Sequence, residues 1–315
     1  MAAFFRLFAC LRQVDRLGAV SKLIITDMDG TLLNQQREIP EAFWPVIHKL
    51  LDRGIFFAPA SGRQYATLAE QFAPIIDRIS VIAENGNMVV RDGEVVDATN
   101  IAPDTVRAIL AAVQKFNETH TQPLGLVICG QQAAYYTTPE GLCAASQAKK
   151  LDAYPTEVAT YYHANQQVAD LKQIIDTDGI VKLAVFCETD VEQPVEATDG
   201  SAAISPADYL AAQAQGLRSV VSGSNWVDLF SPEMNKGVAL QRLQEHLGVS
   251  ATDTIVFVDY LNDLELIDNA GRSFAMANAH PKIAELATDM APSNVDEGVV
   301  VKLQELFADL LAEPA

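Results

Sequence analysis

The stretch Leu23-Ile24-Ile25-Thr26-Asp27-Met28-Asp29-Gly30-Thr31-Leu32-Leu33 decides the fold. Its short β-branched apolar run predicts a buried strand, which two acids, a glycine and a threonine end abruptly. Because open α/β sheets bind ligands at the carboxyl ends of their strands, Asp27 and Asp29 are expected at a binding edge. If Gly30 lets the chain curl back, the two carboxylates can hold one divalent cation and still leave an oxygen free for chemistry.

Two simpler interpretations of this stretch are a calcium loop and an ordinary acidic turn. An EF-hand loop has an acidic ligand five residues before its glycine. Counting back from Gly30 reaches Ile25, which cannot be a ligand, so the calcium loop is excluded. The acidic turn remains the alternative to a catalytic site, and the rest of the chain has to decide between them.

The composition is that of a globular enzyme. The chain has 315 residues, 49% hydrophobic and 20% charged, which suits about two domains. Its net charge of −19 provides no basic surface for a nucleic-acid backbone, so no nucleic-acid partner is expected. An anionic substrate stays compatible with this charge, since a bound cation and one or two lysines can reverse the local field. No apolar run approaches the roughly 18 residues of a membrane span.

The cysteines are widely spaced and form no Cys-x-x-Cys pair. They are Cys10, Cys129, Cys143 and Cys187. This spacing argues against a zinc site and predicts reduced thiols in a cytoplasmic protein.

Residues 1–21 precede the first predicted strand and form a separate question. Apolar side chains recur there at helical spacing, at Phe4, Phe8, Leu11 and Val14. Arg6 and Arg12 interrupt the apolar region that a signal peptide needs. We favour an N-terminal extension outside the fold over a docking helix or a contact with a membrane surface.

Strands and helices alternate on both sides of a long central segment. Before it, the predicted elements are a helix at Glu41–Arg53, a strand at Ile55–Ala60, a helix at Gln64–Phe72 and a strand at Val81–Ala83. After it, they are a helix at Lys236–Leu247, strands at Ile255–Val258 and Ser273–Met276, and helices at Pro281–Ala287 and Val299–Leu311. This rhythm predicts an α/β fold with a doubly wound, mostly parallel sheet, a Rossmann-like core built from residues 22–87 and 233–315.

The central segment has a different pattern. Val89–Val96 reads as a hairpin with an Asp-Gly turn, a feature of antiparallel sheets. A helix is predicted from Asp104 to about Asn117 and another near Gln167 to Ile175, with further strands between and after them. We therefore predict that residues 88–232 form an inserted α+β cap domain.

Chemically useful side chains stand at strand ends or helix starts in four separate pieces of the chain. These are Asp27 with Asp29, then Ser61, then Lys236, and last Asp259 with Asn262 and Asp263. Each has an ordinary explanation alone: a helix N-cap for the serine, a surface position for the lysine, and helix-start acids for the last group. Since the carboxyl ends of parallel strands share one edge, the four pieces together predict a common site.

This set resembles the haloacid dehalogenase superfamily, in particular its Cof-type phosphatases with an inserted cap. The resembling motifs are Asp27-x-Asp29-Gly30-Thr31, Ser61-Gly62-Arg63, Asn235-Lys236-Gly237 and Asp259-x-x-Asn262-Asp263. Three further stretches are similar to family segments, namely Glu84-Asn85-Gly86, Met276–Pro281 and Asp296–Val299. The resemblance runs from about Lys22 to Leu306, and residues 1–21 have no counterpart in it.

The resemblance implies a role for each residue of the four motifs. Asp27 would be the nucleophile that forms an aspartyl-phosphate, and Asp29 the acid and base for the leaving oxygen and the water. Mg²⁺ would be held by a carboxylate oxygen of Asp27, the backbone carbonyl of Asp29 and the carboxylate of Asp259, with Asp263 as a supporting or occasional ligand. The phosphoryl group would be held by Ser61, Lys236 and Asn262, in a motif context that includes Gly62, while Arg63 orients the cluster or touches substrate.

The resulting hypothesis is a Mg²⁺-dependent phosphatase for a small phosphorylated metabolite, such as a sugar phosphate. A phosphomutase that uses the same intermediate and a non-catalytic phospholigand-binding regulatory protein are the alternatives. Two departures from the family pattern bear on the choice: Val258 replaces a usual glycine, and Tyr260 replaces a small residue. A phenol at position 260 would narrow the pocket, donate to substrate or slow turnover.

Overall fold

A computed structural model describes residues 22–142 and 151–312 of the protein. The predicted N-terminal extension, residues 1–21, lies outside the described residues, as do Cys10 and Cys143. No helix within the described ranges is long and apolar enough to cross a bilayer.

Strands and helices of the described residues are numbered here in chain order. The strands are β1 Leu23–Thr26, β2 Phe56–Pro59, β3 Ser80–Ala83, β4 Met88–Arg91, β5 Glu94–Ala98, β6 Leu124–Gly130, β7 Ala134–Tyr136, β8 Asn165–Gln167, β9 Ile180–Cys187, β10 Arg218–Gly223, β11 Trp226–Phe230, β12 Thr254–Val258, β13 Arg272–Met276 and β14 Asp289–Ala291. The helices are α1 Phe43–Asp52, α2 Tyr65–Gln71, α3 Pro103–Thr119, α4 Pro139–Leu142, α5 Tyr154–Tyr161, α6 Pro206–Gln213, α7 Lys236–Leu247, α8 Leu264–Asp268, α9 Pro281–Leu286, α10 Gly298–Leu306 and α11 Ala308–Ala312.

The chain divides into two compact units. The first comprises the described residues up to Gly62, then Leu68–Asp97, and then the chain from Asn235 onward. The second comprises Arg63–Thr67 and Ala98–Met234. The dividing line therefore passes through α2, and the predicted domain limits at residues 88 and 232 stay a prediction.

The first unit is built on a parallel sheet with the strand order β14-β13-β12-β1-β2 among the described residues. β1 is buried throughout and lies between β12 and β2, with Thr26 opposite Phe257 and Pro59. A strand buried on both faces accounts for the near-continuous apolar run that the sequence shows. Because the strands run in parallel, the carboxyl ends of β1 and β12 are neighbours, as the predicted α/β class requires.

A small antiparallel sheet, β3-β4-β5, also contributes to the first unit. Asp92 and Gly93 join β4 to β5 and both have positive φ, 52° and 77°. These signs are those of a type I′ turn, which matches the twist of the flanking strands. The Asp-Gly hairpin is therefore present where the sequence predicts it.

The second unit has a mostly antiparallel sheet with the order β10-β11-β9-β6-β7-β8 among its described strands. One face carries an apolar core to which α3 contributes Ile109, Val113 and Phe116. The other face carries a second cluster that includes Tyr154 and Trp226. An antiparallel sheet with its own cores fits the predicted α+β character of this segment.

Two helix predictions need correction. Gln167–Ile175 is not a helix: β8 ends at Gln167, and a short 3₁₀ turn covers Leu171–Gln173. The Asp170 carboxylate accepts a hydrogen bond from the Lys172 N–H at 2.9 Å, and this local bond favours the turn over a helix. The single C-terminal helix predicted for Val299–Leu311 is instead two helices, α10 and α11, which meet at the buried Phe307.

Candidate active site

The turn after β1 presents the two acids differently. The dihedral angles of Asp29 (φ −74°, ψ 123°) and Gly30 (φ 78°, ψ −3°) are those of the central residues of a type II turn. The second central position of this turn needs a positive φ, which accounts for glycine there. The Leu33 N–H donates to the Met28 carbonyl at 2.9 Å and closes the loop. Asp27 is thus buried at the strand end, and Asp29 is exposed at the corner of the turn.

A buried lysine lies between two carboxylates. Lys236 Nζ donates to Asp27 Oδ1, and it donates to Asp263 Oδ1 at 2.7 Å. Lys236 is 2% exposed, Asp263 0% and Asp27 6%. A buried ammonium that lacked its carboxylates would carry a large desolvation cost, so the ion pairs stabilise the lysine at this depth.

Close packing at the start of α7 places this lysine. Lys236 is the first residue of the helix, and the side chain of Asn235 caps it by accepting from the Val238 N–H at 2.8 Å. A Cβ on Gly237 would come within 2.3 Å of the Glu265 carbonyl oxygen, so only glycine allows α7 to approach α8 this closely. The first turn of α7 is therefore fixed from both sides.

The loop after β2 is joined to the same region through Glu84-Asn85-Gly86. Ser61 is buried, its N–H donates to the Ile82 carbonyl at 2.9 Å, and its carbonyl accepts from the Asn85 N–H at 3.0 Å. A Cβ on Gly86 would lie 2.4 Å from the carbonyl oxygen of Asn235. The turn Glu84-Asn85-Gly86 therefore lies between the loop that carries Ser61 and the start of α7.

Asp259 follows β12 and lies beneath the turn. The Thr31 hydroxyl donates to Asp259 Oδ1 at 3.1 Å, and the Asp259 carbonyl accepts from the His280 N–H at 2.8 Å. A Cβ on Gly30 would be 2.2 Å from Asp259 Oδ2. Glycine is therefore required at position 30 for two reasons: the turn needs a positive φ, and the Asp259 carboxylate occupies the space of a Cβ.

Negative charge is in excess at this strand edge. Burial first, and then the Asp263 carboxylate, raise the pKa of Asp27 well above its usual value, against the opposing effect of Lys236. The same two causes raise the pKa of Asp259 to about 6. Burial opposes the charge on Lys236, but Asp263 and Asp27 together hold its pKa above the usual value. One lysine does not offset three neighbouring carboxylates.

The donor set fits a divalent cation. Carboxylate oxygens of Asp27, Asp259 and Asp263 lie within 4.8 Å of one another. Oδ2 of Asp263 is buried and has no hydrogen-bond partner among residues 22–142 and 151–312. An unpaired buried carboxylate oxygen is costly unless a cation or water meets it, and hard cations such as Mg²⁺ prefer oxygen ligands. These three aspartates could therefore hold such an ion.

The remaining predicted residues lie in different environments. Gly62 is half-buried, and a Cβ there would meet Asn85 Oδ1 at 2.8 Å. Arg63 is half-buried and belongs to the second unit, not to the unit that contains the aspartates. Asn262 is exposed on the short 3₁₀ turn Leu261–Asp263.

The two departures at the fourth motif have different consequences. Val258 is fully buried as the last residue of β12, opposite Ala275 of β13. Tyr260 is 57% exposed, and its ring meets that of His280 edge-on with 5.8 Å between the centroids. Val258 therefore contributes to the buried core of the sheet, and the Tyr260 ring packs against His280 at the surface.

Sequence reasoning assigned no role to Thr31 or Asn85. Thr31 holds Asp259, and Asn85 packs against the serine loop. Both lie inside motifs that the sequence analysis identifies, and this position is the one feature that indicates a role for them. A neutral side chain at such a position gives no indication of which carboxylate or loop it supports.

Comparison with known proteins identifies the family. A profile of the haloacid dehalogenase-like hydrolases matches residues 24–303. The chain belongs to this family. A 5-amino-6-(5-phospho-D-ribitylamino)uracil phosphatase of Escherichia coli is 29% identical over 282 residues, covering 89% of this chain and 93% of the relative. An HMP-PP phosphatase of Cronobacter sakazakii is 27% identical over 281 residues, covering 86% of this chain and 88% of the relative.

Solved structures share the fold. A crystal structure from Thermotoga maritima superimposes with a TM-score of 0.73 at 22% identity, covering 91% of this chain and 97% of the other. A subclass IIB sugar phosphatase gives a TM-score of 0.67 at 15% identity, covering 91% and 99%. The family resemblance, the α/β fold class and the assignment to phosphoric monoester hydrolases are confirmed by these comparisons as a whole.

Gly30→Ala and Gly54→Ala form a matched pair, since both glycines have a φ of 78°. Both should lose about 1–2 kcal/mol of stability from a strained backbone. A Cβ at position 54 would meet nothing within 4 Å, so only Gly30→Ala should displace Asp259 and abolish hydrolysis of p-nitrophenyl phosphate. Urea denaturation and initial rates measure the two effects. Equal activity in the two variants would contradict the packing of Gly30 on Asp259.

Proposed function

We propose that this haloacid dehalogenase-like hydrolase is a Mg²⁺-dependent phosphatase that cleaves a small phosphorylated metabolite through an aspartyl-phosphate on Asp27. The observation that carries the proposal is the buried Lys236, which bonds to Asp27 and Asp263 at the end of β1. A carboxylate nucleophile and a phosphate are both anionic, so a fixed ammonium beside them lowers their mutual repulsion. Asp27 keeps 6% exposure at the strand end, where a phosphoryl group can reach it.

Asp27, Asp259 and Asp263, with the backbone carbonyl of Asp29, would hold the ion. When bound, Mg²⁺ would offset the excess of carboxylate charge and withdraw electron density from a phosphoryl oxygen. The unpartnered Oδ2 of Asp263 and the raised pKa of Asp259, to about 6, support a cation at this position.

The proposed reaction has two steps. A carboxylate oxygen of Asp27 attacks phosphorus, the bond from phosphorus to the leaving oxygen breaks, and Asp29 gives that oxygen a proton. Water then attacks the phosphorus of the aspartyl-phosphate while Asp29 takes its proton, which releases inorganic phosphate and restores Asp27. The exposed corner position of Asp29 suits a group that exchanges protons with substrate and water in turn.

The substrate class is proposed from chemistry that two of the similar proteins share. One relative is named for a phosphate on a ribityl chain, and one structural neighbour is named a sugar phosphatase. Both names describe a phosphate ester of a polyhydroxylated carbon chain. We infer that this chain acts on a sugar phosphate or a similar polyol phosphate.

We also infer a cytoplasmic location, which reduced cysteines support. Of the described cysteines, Cys129 and Cys187 are buried free thiols. Free thiols are typical of reducing compartments.

Asp27→Asn tests the nucleophile. The amide keeps the shape of the side chain but is a poor nucleophile, so hydrolysis of p-nitrophenyl phosphate and of ribose 5-phosphate should fall at least about 10³-fold. Asp77→Asn, which changes an exposed acid of the same unit, should leave both rates unchanged. Phosphate release in the presence of Mg²⁺ measures the rates. Similar rates in wild type and Asp27→Asn would overturn the proposal, and phosphate binding without turnover in wild type would favour a regulatory protein.

Thermal melting tests the cation independently of activity. Mg²⁺ should raise the midpoint of wild type, because binding to the folded state alone adds stability that grows with the logarithm of ion concentration. Asp259→Asn should lose most of this shift, and Asp77→Asn should keep it. The proposed site would be wrong if Asp259→Asn responded to Mg²⁺ as strongly as wild type does.

A further inference from the structure

An asparagine after β13 is attached to the turn that carries Asp29. Asn278 Nδ2 donates to the Gly30 carbonyl at 2.8 Å. Its Oδ1 accepts from the Ser293 hydroxyl and from the Asn294 N–H, both at 3.1 Å. The amide is thus bonded on both sides, which fixes its orientation and directs its N–H toward Gly30.

A second asparagine, Asn294, bonds the C-terminal end of the same loop. Asn294 Nδ2 donates to the Leu33 carbonyl at 2.8 Å. Asn278 and Asn294 therefore bond backbone carbonyls near the two ends of the stretch between Gly30 and Leu33, and they bond to each other. They lie in or next to the stretches 276–281 and 296–299, which the sequence singles out without a role.

Gly30 needs such a restraint. A glycine populates more backbone conformations than any other residue, so a turn that depends on one is poorly determined by its own sequence. Asp29 directly precedes Gly30, so rotation about the backbone bonds of Gly30 changes the orientation of Asp29 relative to the rest of the loop. Asp259 packs beneath Gly30, and Asn278 holds its carbonyl, so the glycine is constrained from two directions.

We propose that Asn278 is a positioning residue that sets Asp29 for proton transfer by holding the Gly30 carbonyl. This role rests on the proposed phosphatase reaction. It predicts that the effect of losing Asn278 depends on the leaving group of the substrate, which a purely structural role does not predict. A leaving group that is already a stable anion, such as p-nitrophenolate, needs little help from an acid. An alkoxide leaving group, as in ribose 5-phosphate, needs a correctly placed proton donor.

The test compares kcat/KM for these two substrates in Asn278→Asp and Asn278→Ala. The aspartate variant keeps the shape and removes the Nδ2 donor, and the alanine variant removes the whole amide. Both should lose about 10- to 100-fold on ribose 5-phosphate and less than about 3-fold on p-nitrophenyl phosphate. Asn269→Ala is the control, since Asn269 Nδ2 makes a similar bond to the Glu265 carbonyl at 2.7 Å; it should affect both substrates equally.

A double variant shows whether Asn278 acts through Asp29. Asp29→Ala alone should show the same selective loss, and adding Asn278→Ala to it should produce no further selectivity. Selective loss in Asp29→Ala but equal losses on both substrates in the Asn278 variants would overturn this role while leaving the proposed function intact. If Asp29→Ala itself spared ribose 5-phosphate, the acid role of Asp29 and the role of Asn278 would both be overturned.

Discussion

The site depends on one buried interaction, the double ion pair of Lys236 with Asp27 and Asp263. An isolated ammonium at this depth would lose its hydration without compensation, and an isolated carboxylate would take up a proton. The pairs favour the charged forms of these groups, against the effect of burial, where β1, α7 and the turn into α8 meet. Removing one partner of such a buried pair costs about 3–5 kcal/mol, so the pairs help to hold the three chain segments together.

The same arrangement carries an electrostatic cost that a bound cation would relieve. Asp259 adds a further carboxylate next to the pair, and burial together with Asp263 raises its pKa. Functional sites commonly hold groups whose charges would be more stable apart. Asp263 Oδ2, buried and unpartnered among the described residues, is the clearest atom-level sign of that condition. A divalent cation and an anionic phosphoryl group would complete the charge balance together.

The convergence of Asp27, Lys236 and Asp259 could be predicted, because parallel strands must end at one edge and each residue follows a strand or opens a helix. The type II turn could be predicted only in part. Gly30 indicates that the chain reverses direction, but it does not indicate the type of turn. The role of Asn278 could not be predicted from the sequence, since an exposed asparagine after a strand resembles any other polar surface residue. The predicted helix at Gln167–Ile175 was wrong because a local carboxylate-to-backbone bond outweighed helical spacing.

In the proposed reaction, the phosphoryl group passes through Asp27. The direct measurement is acid quenching during turnover of p-nitrophenyl phosphate, borohydride reduction, and mass spectrometry of the peptide that contains position 27. Borohydride reduces an acyl phosphate of aspartate to homoserine, so that mass change is expected at position 27 in wild type and should be absent in Asp27→Asn. Turnover with no reduced residue at position 27, or with the change at another aspartate, would contradict the proposed reaction.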